Sequence, residues 1–312
     1  MNKINILTDD VNHVNERSHS VGAVLADLKS LFKGLVLVLN VLPVFVGFWL
    51  AIYFTTGTFA GQWENLFLTV VGSTFVMAGA LALNNWYEVD LDQAMERTQG
   101  RPTVTGHFKL RTVLLIGSGL SMAGMLMLVF TTLEAFVYGL IGWFTYVVLY
   151  TFWSKRKYTL NTIIGSVSGA VTPLIGWAAV DSAFHIVPIV LALIIFIWQV
   201  PHTFAIAIKR YDDYKRAGVP MLPVAYGFDV TKRQMLIYII ALFPLPFFIV
   251  SQIGITFSVV ASLLNIAWII LSIKGFKVVD HRAWAQRMFV YSLVYLTTVL
   301  LLMFVVTFPT FS

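Results

Sequence analysis

The sequence contains no cysteine. That excludes disulfides, thiolate metal sites and a thiol nucleophile. Charge is scarce too: Asp, Glu, Lys and Arg make up 12% of the 312 residues, while 58% are hydrophobic. With a mean hydropathy of +0.82, the composition excludes an ordinary water-soluble domain. What is abundant is apolar runs of about 18 residues or more, the length a helix needs to cross a bilayer. Lipid offers backbone groups no partner, so such runs must be helical. The expected fold is all-α, a polytopic membrane protein. Its nine spans are expected near 34–54, 66–87, 112–131, 134–153, 162–180, 184–207, 235–253, 255–273 and 288–308. They form one domain, residues 1–312, with a polar N-terminal tail over 1–30. The opening residues carry no apolar run, so no cleavable signal is expected there.

A second scarcity is positional. All 21 Lys and Arg fall in the tail or in the even-numbered loops, and the odd-numbered loops hold none. The outer loops carry only Glu64, Glu134 and Asp181. The positive-inside rule then puts the N-terminus in the cytoplasm. The net charge of +6 is accounted for by this topology. Membrane lipid headgroups are the expected counter-surface, and nucleic acid is not an expected partner.

Against that background, residues 84–102, NNWYEVDLDQAMERTQGRP, stand out because they hold four of the chain's fifteen acids. The stretch follows the second apolar run, where acids are costly unless solvated or paired. Suppose the helix continues from that run at about 100° per residue from Asn84. Glu88 then falls at about 40°, Asp92 at about 80° and Asn85 at about 100°, whereas Asp90 falls at about 240°. Hard oxygen ligands gathered on one face suit Mg²⁺, which binds a few carboxylates, water and substrate phosphate. Arg97 and Arg101 follow, and guanidinium forks suit phosphate oxygens. The plainer alternative is a polar loop between two membrane helices.

A second acidic site lies in the sixth loop, where Asp212 and Asp213 follow Lys209 and Arg210. Both sites are expected on the cytoplasmic side, four spans apart, which hints at two related four-helix halves plus a ninth helix. Between them, the small residues of the fifth span suggest close helix packing, and Pro173 is a candidate kink. His202 lies at the edge of an apolar span with acids nearby. A hydrogen-bonding role and a ligand role both remain open for it. Asn40 is a lone amide in the first span, suited to helix–helix bonding or to substrate contact.

These residues together resemble the UbiA-like intramembrane prenyltransferases. Asn84, Asn85, Glu88 and Asp92 match the family's first motif, NDxxDxxxD, with Asn in its second position and Glu in its third. MERTQGRP (95–102), SKRKYTLNTIIG (154–165), GAVTPLIGW (169–177), WQVPHTFA (198–205) and DDYKRAGVPMLP (212–223) look like the heme-farnesylating branch. The second site departs from the usual DxxxD, because its acids are adjacent and Arg210 stands where an earlier Asp could lie. PHTFA also differs by one residue from the pattern expected after Pro201 and His202.

The resemblance implies transfer of a farnesyl group from farnesyl diphosphate to a vinyl group of heme b, giving heme O. It implies Mg²⁺ held by Glu88, Asp92, Asp212 and Asp213, with Asn84 or Asn85 helping. Arg97, Arg101, Lys209 and Arg156 would clamp the diphosphate, and Asn40, Tyr158, Asn161 and His202 would contact substrate. Trp86, Tyr87 and Tyr158 are candidates to shelter a farnesyl cation, and Trp177 reads better as a core or interfacial anchor. The implied location is the plasma membrane, with the site facing the cytoplasm. Heme A synthase or terminal-oxidase assembly partners are implied too. The rivals are a prenyltransferase acting on an aromatic quinone precursor and a non-enzymatic heme-handling subunit or transporter. Transporters tend to carry ionisable residues at the midplane. Here the acids lie at helix ends beside arginines, which favours an enzyme.

Overall fold

A computed structural model describes residues 21–55 and 58–308. Most of the polar tail, with Lys3 and Arg17, and the last four residues lie outside the described residues. The described part is helical, and eight of its helices are long and apolar enough to cross a membrane. They are α2 (Gly34–Phe54), α3 (Trp63–Tyr87), α6 (Leu110–Val129), α7 (Leu133–Phe144) with its π-helical continuation Thr145–Ser154, α10 (Ile186–Lys209), α12 (Leu222–Leu242) with its extension to Ile253, α14 (Ile255–Lys274) and α15 (His281–Val306). Shorter helices join them: α1 (Val21–Leu31), α4 (Val89–Ala94), α5 (Pro102–Thr105), α8 (Asn161–Ala170), α9 (Thr172–Ala178), α11 (Tyr211–Arg216) and α13 (Val250–Ile253). Residues 21–30 of the expected tail are thus helical.

Where the fifth span is expected, the chain forms two shorter helices, α8 and α9, which meet at Val171, and neither is among the eight long helices. Pro173 sits in the first turn of α9. There its missing N–H costs nothing, whereas inside one continuous helix it would remove a hydrogen bond. The seventh span also differs from a single rod. Pro244 and Pro246 follow Leu242, and the chain passes through a 3₁₀ turn, Leu245–Ile249, into α13.

α10 lies in the middle of the bundle and packs against α8, α12 and α15. Its buried side, including Leu191, Ile194, Ile195 and Trp198, belongs to the main apolar core. α2 meets α9 backbone to backbone. A Cβ on Gly176 would lie 1.9 Å from the Val44 carbonyl oxygen, and one on Gly47 would lie 2.1 Å from that of Pro173. Neither obstacle is a flexible side chain. Gly176→Val should therefore force the helices apart at a cost of about 1–3 kcal/mol, read as a lower thermal midpoint in detergent. An unchanged midpoint would mean that α2 and α9 do not make this contact.

Candidate active site

The first acidic site spans the end of α3, which carries Asn84 and Asn85, its cap Glu88, and Asp92 of α4. The helix ends at Tyr87, and Glu88 caps it at φ −100°, ψ 18°. Register is nevertheless kept, because the Asp92 N–H donates to the Glu88 carbonyl at 2.8 Å. Asn84, Asn85, Glu88 and Asp92 are consequently all buried, at 1–3% exposure. The Asp90 side chain, on the other face, is 64% exposed.

Three cations close over this face. Arg101 Nη1 lies 2.5 Å from Asp92 Oδ2 and donates to Asn85 Oδ1 at 2.9 Å. Lys155 Nζ lies 2.5 Å from Glu88 Oε2. Lys33 Nζ donates to Asn84 Oδ1 at 3.0 Å. The two amides are held from their other ends, since Asn84 Nδ2 donates to Thr151 Oγ1 at 3.1 Å and Asn85 Nδ2 to the Leu31 carbonyl at 2.7 Å. Glu88 Oε1 is buried and has no hydrogen-bond partner among the described residues.

Burial opposes the charge of Lys155, but the Glu88 carboxylate beside it holds its pKa above the ordinary value. Among the described residues Lys33 makes no ion pair with a carboxylate, and Glu88 and Asp92 offset only part of its burial. Burial first, then the Arg101 guanidinium, lower it to about 7. Lys33 is also the one non-glycine residue with positive φ among the described residues, at 49°. That conformation is unfavourable for a side chain with a Cβ.

Neither lysine is among the residues that the sequence singles out. Lys155 stands in the run Lys155-Arg156-Lys157, and α-helical spacing cannot say which member turns inward. The π-helical turns of 145–154 decide it. Arg156 points the other way, making two hydrogen bonds to Asp90 at 2.6 and 2.7 Å, which hold that carboxyl below its usual range. Its guanidinium lies 4.9 Å from the Tyr87 ring centroid.

The second acidic site is split. Asp212 and Asp213 are neighbours on α11, about 100° apart, so they cannot both face inward. Asp213 is buried and accepts from Arg216 Nη2 at 2.7 Å, while Arg216 Nη1 reaches Glu96 at 2.8 Å. Arg216 thus ties the two acidic loops together. Leu91 and Met95 also pack with Tyr214, Val219 and Met221. Asp212 is 57% exposed and pairs with Arg282 of α15. Among the described residues, no three acids or histidines come close enough to hold a metal ion. The expected four-acid set is therefore not assembled among the described residues: Glu88 and Asp92 are buried on one face, Asp213 is buried on Arg216, and Asp212 is exposed on Arg282.

Of the other expected residues, Arg97 is exposed, and Lys209 Nζ lies 5.6 Å from the Phe289 ring centroid. Tyr158 is exposed and lies edge-on to Trp153. Asn161 is fully buried, and its Nδ2 has no partner among the described residues.

Beside the charged cluster is a cavity of about 500 Å³. Asn40 and His202 line it, as do Trp143, Tyr146, Tyr150, Trp198 and Phe289. Tyr150 links the two regions, for its ring also lies under Lys155 Nζ at 5.5 Å. Leu35, Val36 and Leu39 line the cavity and are exposed as well, so it opens sideways along α2. None of Trp86, Tyr87, Tyr158 and Trp177 lines it. Trp177 is instead a fully buried core residue stacked on His185.

Buried amides and carboxylates under a lid of cations, beside an aromatic-walled cavity open to the apolar side, form a site for an anionic headgroup with a hydrophobic tail. The model of the UbiA prenyltransferase family matches residues 40–294. The chain belongs to the UbiA prenyltransferase family. Among members of this family, the protoheme IX farnesyltransferase of Oceanobacillus iheyensis is 50% identical over 92% of this chain and 91% of its own. The protoheme IX farnesyltransferase of Bacillus thuringiensis is 50% identical over 96% of this chain and 100% of its own. Among solved structures, a digeranylgeranylglyceryl phosphate synthase matches with a TM-score of 0.74 at 18% identity, covering 91% of this chain and 98% of that one. A UbiA homolog from Archaeoglobus fulgidus bound to GPP and Mg²⁺ matches with a TM-score of 0.69 at 17% identity, covering 90% and 99%. The chain is a multi-pass membrane prenyltransferase with the UbiA fold.

Proposed function

We propose that this enzyme transfers the farnesyl group of farnesyl diphosphate to a vinyl group of heme b, forming heme O with its hydroxyethylfarnesyl side chain. The observation that carries the reading is Tyr150, whose ring is both a wall of the apolar cavity and the floor beneath Lys155. A diphosphate among Lys33, Arg101 and Lys155 would therefore leave its allylic tail in the aromatic cavity. The names of the relatives at 50% identity support the farnesyl donor and the heme acceptor.

Glu88 and Asp92 are the residues that would hold Mg²⁺, and the unpartnered Glu88 Oε1 fits a hard cation. There the ion would offset the charge that grows on the leaving diphosphate. Arg101 and Lys155 would supply fixed positive charge to the same oxygens, and Lys33 a charge that depends on pH. Tyr146 and Tyr150, which line the cavity, would shelter the farnesyl cation and keep bulk water from it. The vinyl carbon attacks that cation, and water adds to the new benzylic-type cation with loss of a proton. No side-chain nucleophile is required. The placement of all 21 basic residues supports a cytoplasmic N-terminus and a cytoplasmic mouth for the site.

The test is a competition assay with farnesyl diphosphate, Mg²⁺, heme b and 4-hydroxybenzoate. Heme b should be prenylated and the benzoate left unchanged. The reverse would move the enzyme to quinone-precursor chemistry.

Lys33 makes the donor step pH-dependent. A bound diphosphate favours the ammonium form, so the pKa in the complex exceeds the free value of about 7. Binding then takes up a proton above pH 7. Affinity is full below that pH and falls as pH rises, by up to about tenfold per unit. Equilibrium binding of farnesyl diphosphate between about pH 6 and pH 9 should show this fall. Lys33→Met should flatten the curve at its weaker end, and an unaltered slope in that variant would assign the dependence to another group.

A further inference from the structure

We infer that His202 Nε2 is the axial ligand that holds the iron of the heme substrate, an assignment that rests on the heme acceptor proposed above. Among the described residues, His202 is the one histidine lining the cavity. Its Nδ1 lies 2.7 Å from Ser292 Oγ. The Ser292 hydroxyl has a single proton, and it donates that proton to the Phe289 carbonyl at 2.6 Å. Toward His202 the same oxygen can only accept, so the imidazole proton is on Nδ1. Nε2 is left with its lone pair, and it makes no hydrogen bond among the described residues.

This is the arrangement of a metal-binding imidazole. The far nitrogen donates to a fixed acceptor, which sets the tautomer and raises ligand basicity. The ring is immobilised as well. Trp198, one turn earlier on α10, stacks on it with centroids 4.5 Å apart and planes at 23°. Trp198 Nε1 itself donates to the Ser292 carbonyl at 2.7 Å. Phe289 also packs against it, with centroids 5.1 Å apart and planes at 35°. A histidine serving only to join α10 to α15 would be fully used by the Ser292 bond. Here the second nitrogen is free in a cavity whose proposed ligand carries iron. Iron ligation would anchor the macrocycle at one point and limit which vinyl group can reach the farnesyl cation.

The test uses the full-length protein in detergent, titrated separately with heme b and with metal-free protoporphyrin IX. Heme binding should weaken by at least about tenfold in His202→Ala, while protoporphyrin binding stays unchanged. A merely structural role would weaken both equally. Resonance Raman of the ferrous protein should show an iron–histidine stretch that is absent in His202→Ala and returns when imidazole is added to His202→Gly. Ser292→Ala should keep the band but shift it to lower frequency, because the ligand loses basicity. The same band in His202→Ala, or its absence from an unmutated protein that still farnesylates heme, overturns the ligation alone. An unmutated protein that takes up no heme overturns both the ligation and the acceptor reading.

Discussion

Glu88→Gln and Asp92→Asn should each lower prenyl transfer by about 10²–10³-fold, the usual cost of removing one group that stabilises transition-state charge. Asp90→Asn should stay near the unmutated rate. All three acids lie within five residues, yet two are buried with Asn84 and Asn85 and the third is 64% exposed on Arg156. Asp213→Asn should cost more than Asp212→Asn, because Asp213 is buried and tied through Arg216 to Glu96 of the first acidic loop, while Asp212 faces solvent and Arg282. Under the proposed mechanism Glu88 and Asp92 would hold one ion against one leaving group. Their double variant should therefore lose less than the product of the two single effects. The measurement is product formed per minute at saturating farnesyl diphosphate, with each variant checked for membrane insertion. Equal losses at Asp90 and Asp92 would remove the basis for a single ligand face.

Lys155→Met should cost both stability and activity, and the two losses can be separated. The substitution leaves Glu88, 2% exposed, without its cation. Breaking a buried pair from one side typically costs about 3–5 kcal/mol. Adding Glu88→Gln removes the stranded charge and should recover most of the thermal midpoint. It should not recover turnover, since the double variant lacks both the diphosphate cation and the metal carboxylate. Recovery of turnover along with stability would make the pair a structural one.

How far these assignments can be read from sequence depends on the local backbone. The ligand face was legible because 84–92 stays close to α-helical register, and the break at Glu88 does not disturb it. The bilayer-spanning runs were legible from length and hydropathy alone. Lys155 and the cavity tyrosines were not, because Tyr146 and Tyr150 lie in a π-helical segment where the 100° rule fails. Lys33 was hidden for a similar reason, since a left-handed residue between α1 and α2 aims it at Asn84. The break at Val171 was announced only by Pro173. The tautomer of His202 depends on Ser292, ninety residues away in sequence, and no local pattern carries that information.

The central claim is that one site joins a farnesyl group, a heme vinyl group and water. It is tested most directly by incubating the purified enzyme with farnesyl diphosphate, heme b and Mg²⁺ in water enriched in heavy oxygen, then weighing the pigment. The account predicts a heme that has gained one farnesyl group and one hydroxyl, with the hydroxyl oxygen drawn from the solvent. Recovery of heme b at its original mass, with farnesyl diphosphate consumed or intact, would contradict it.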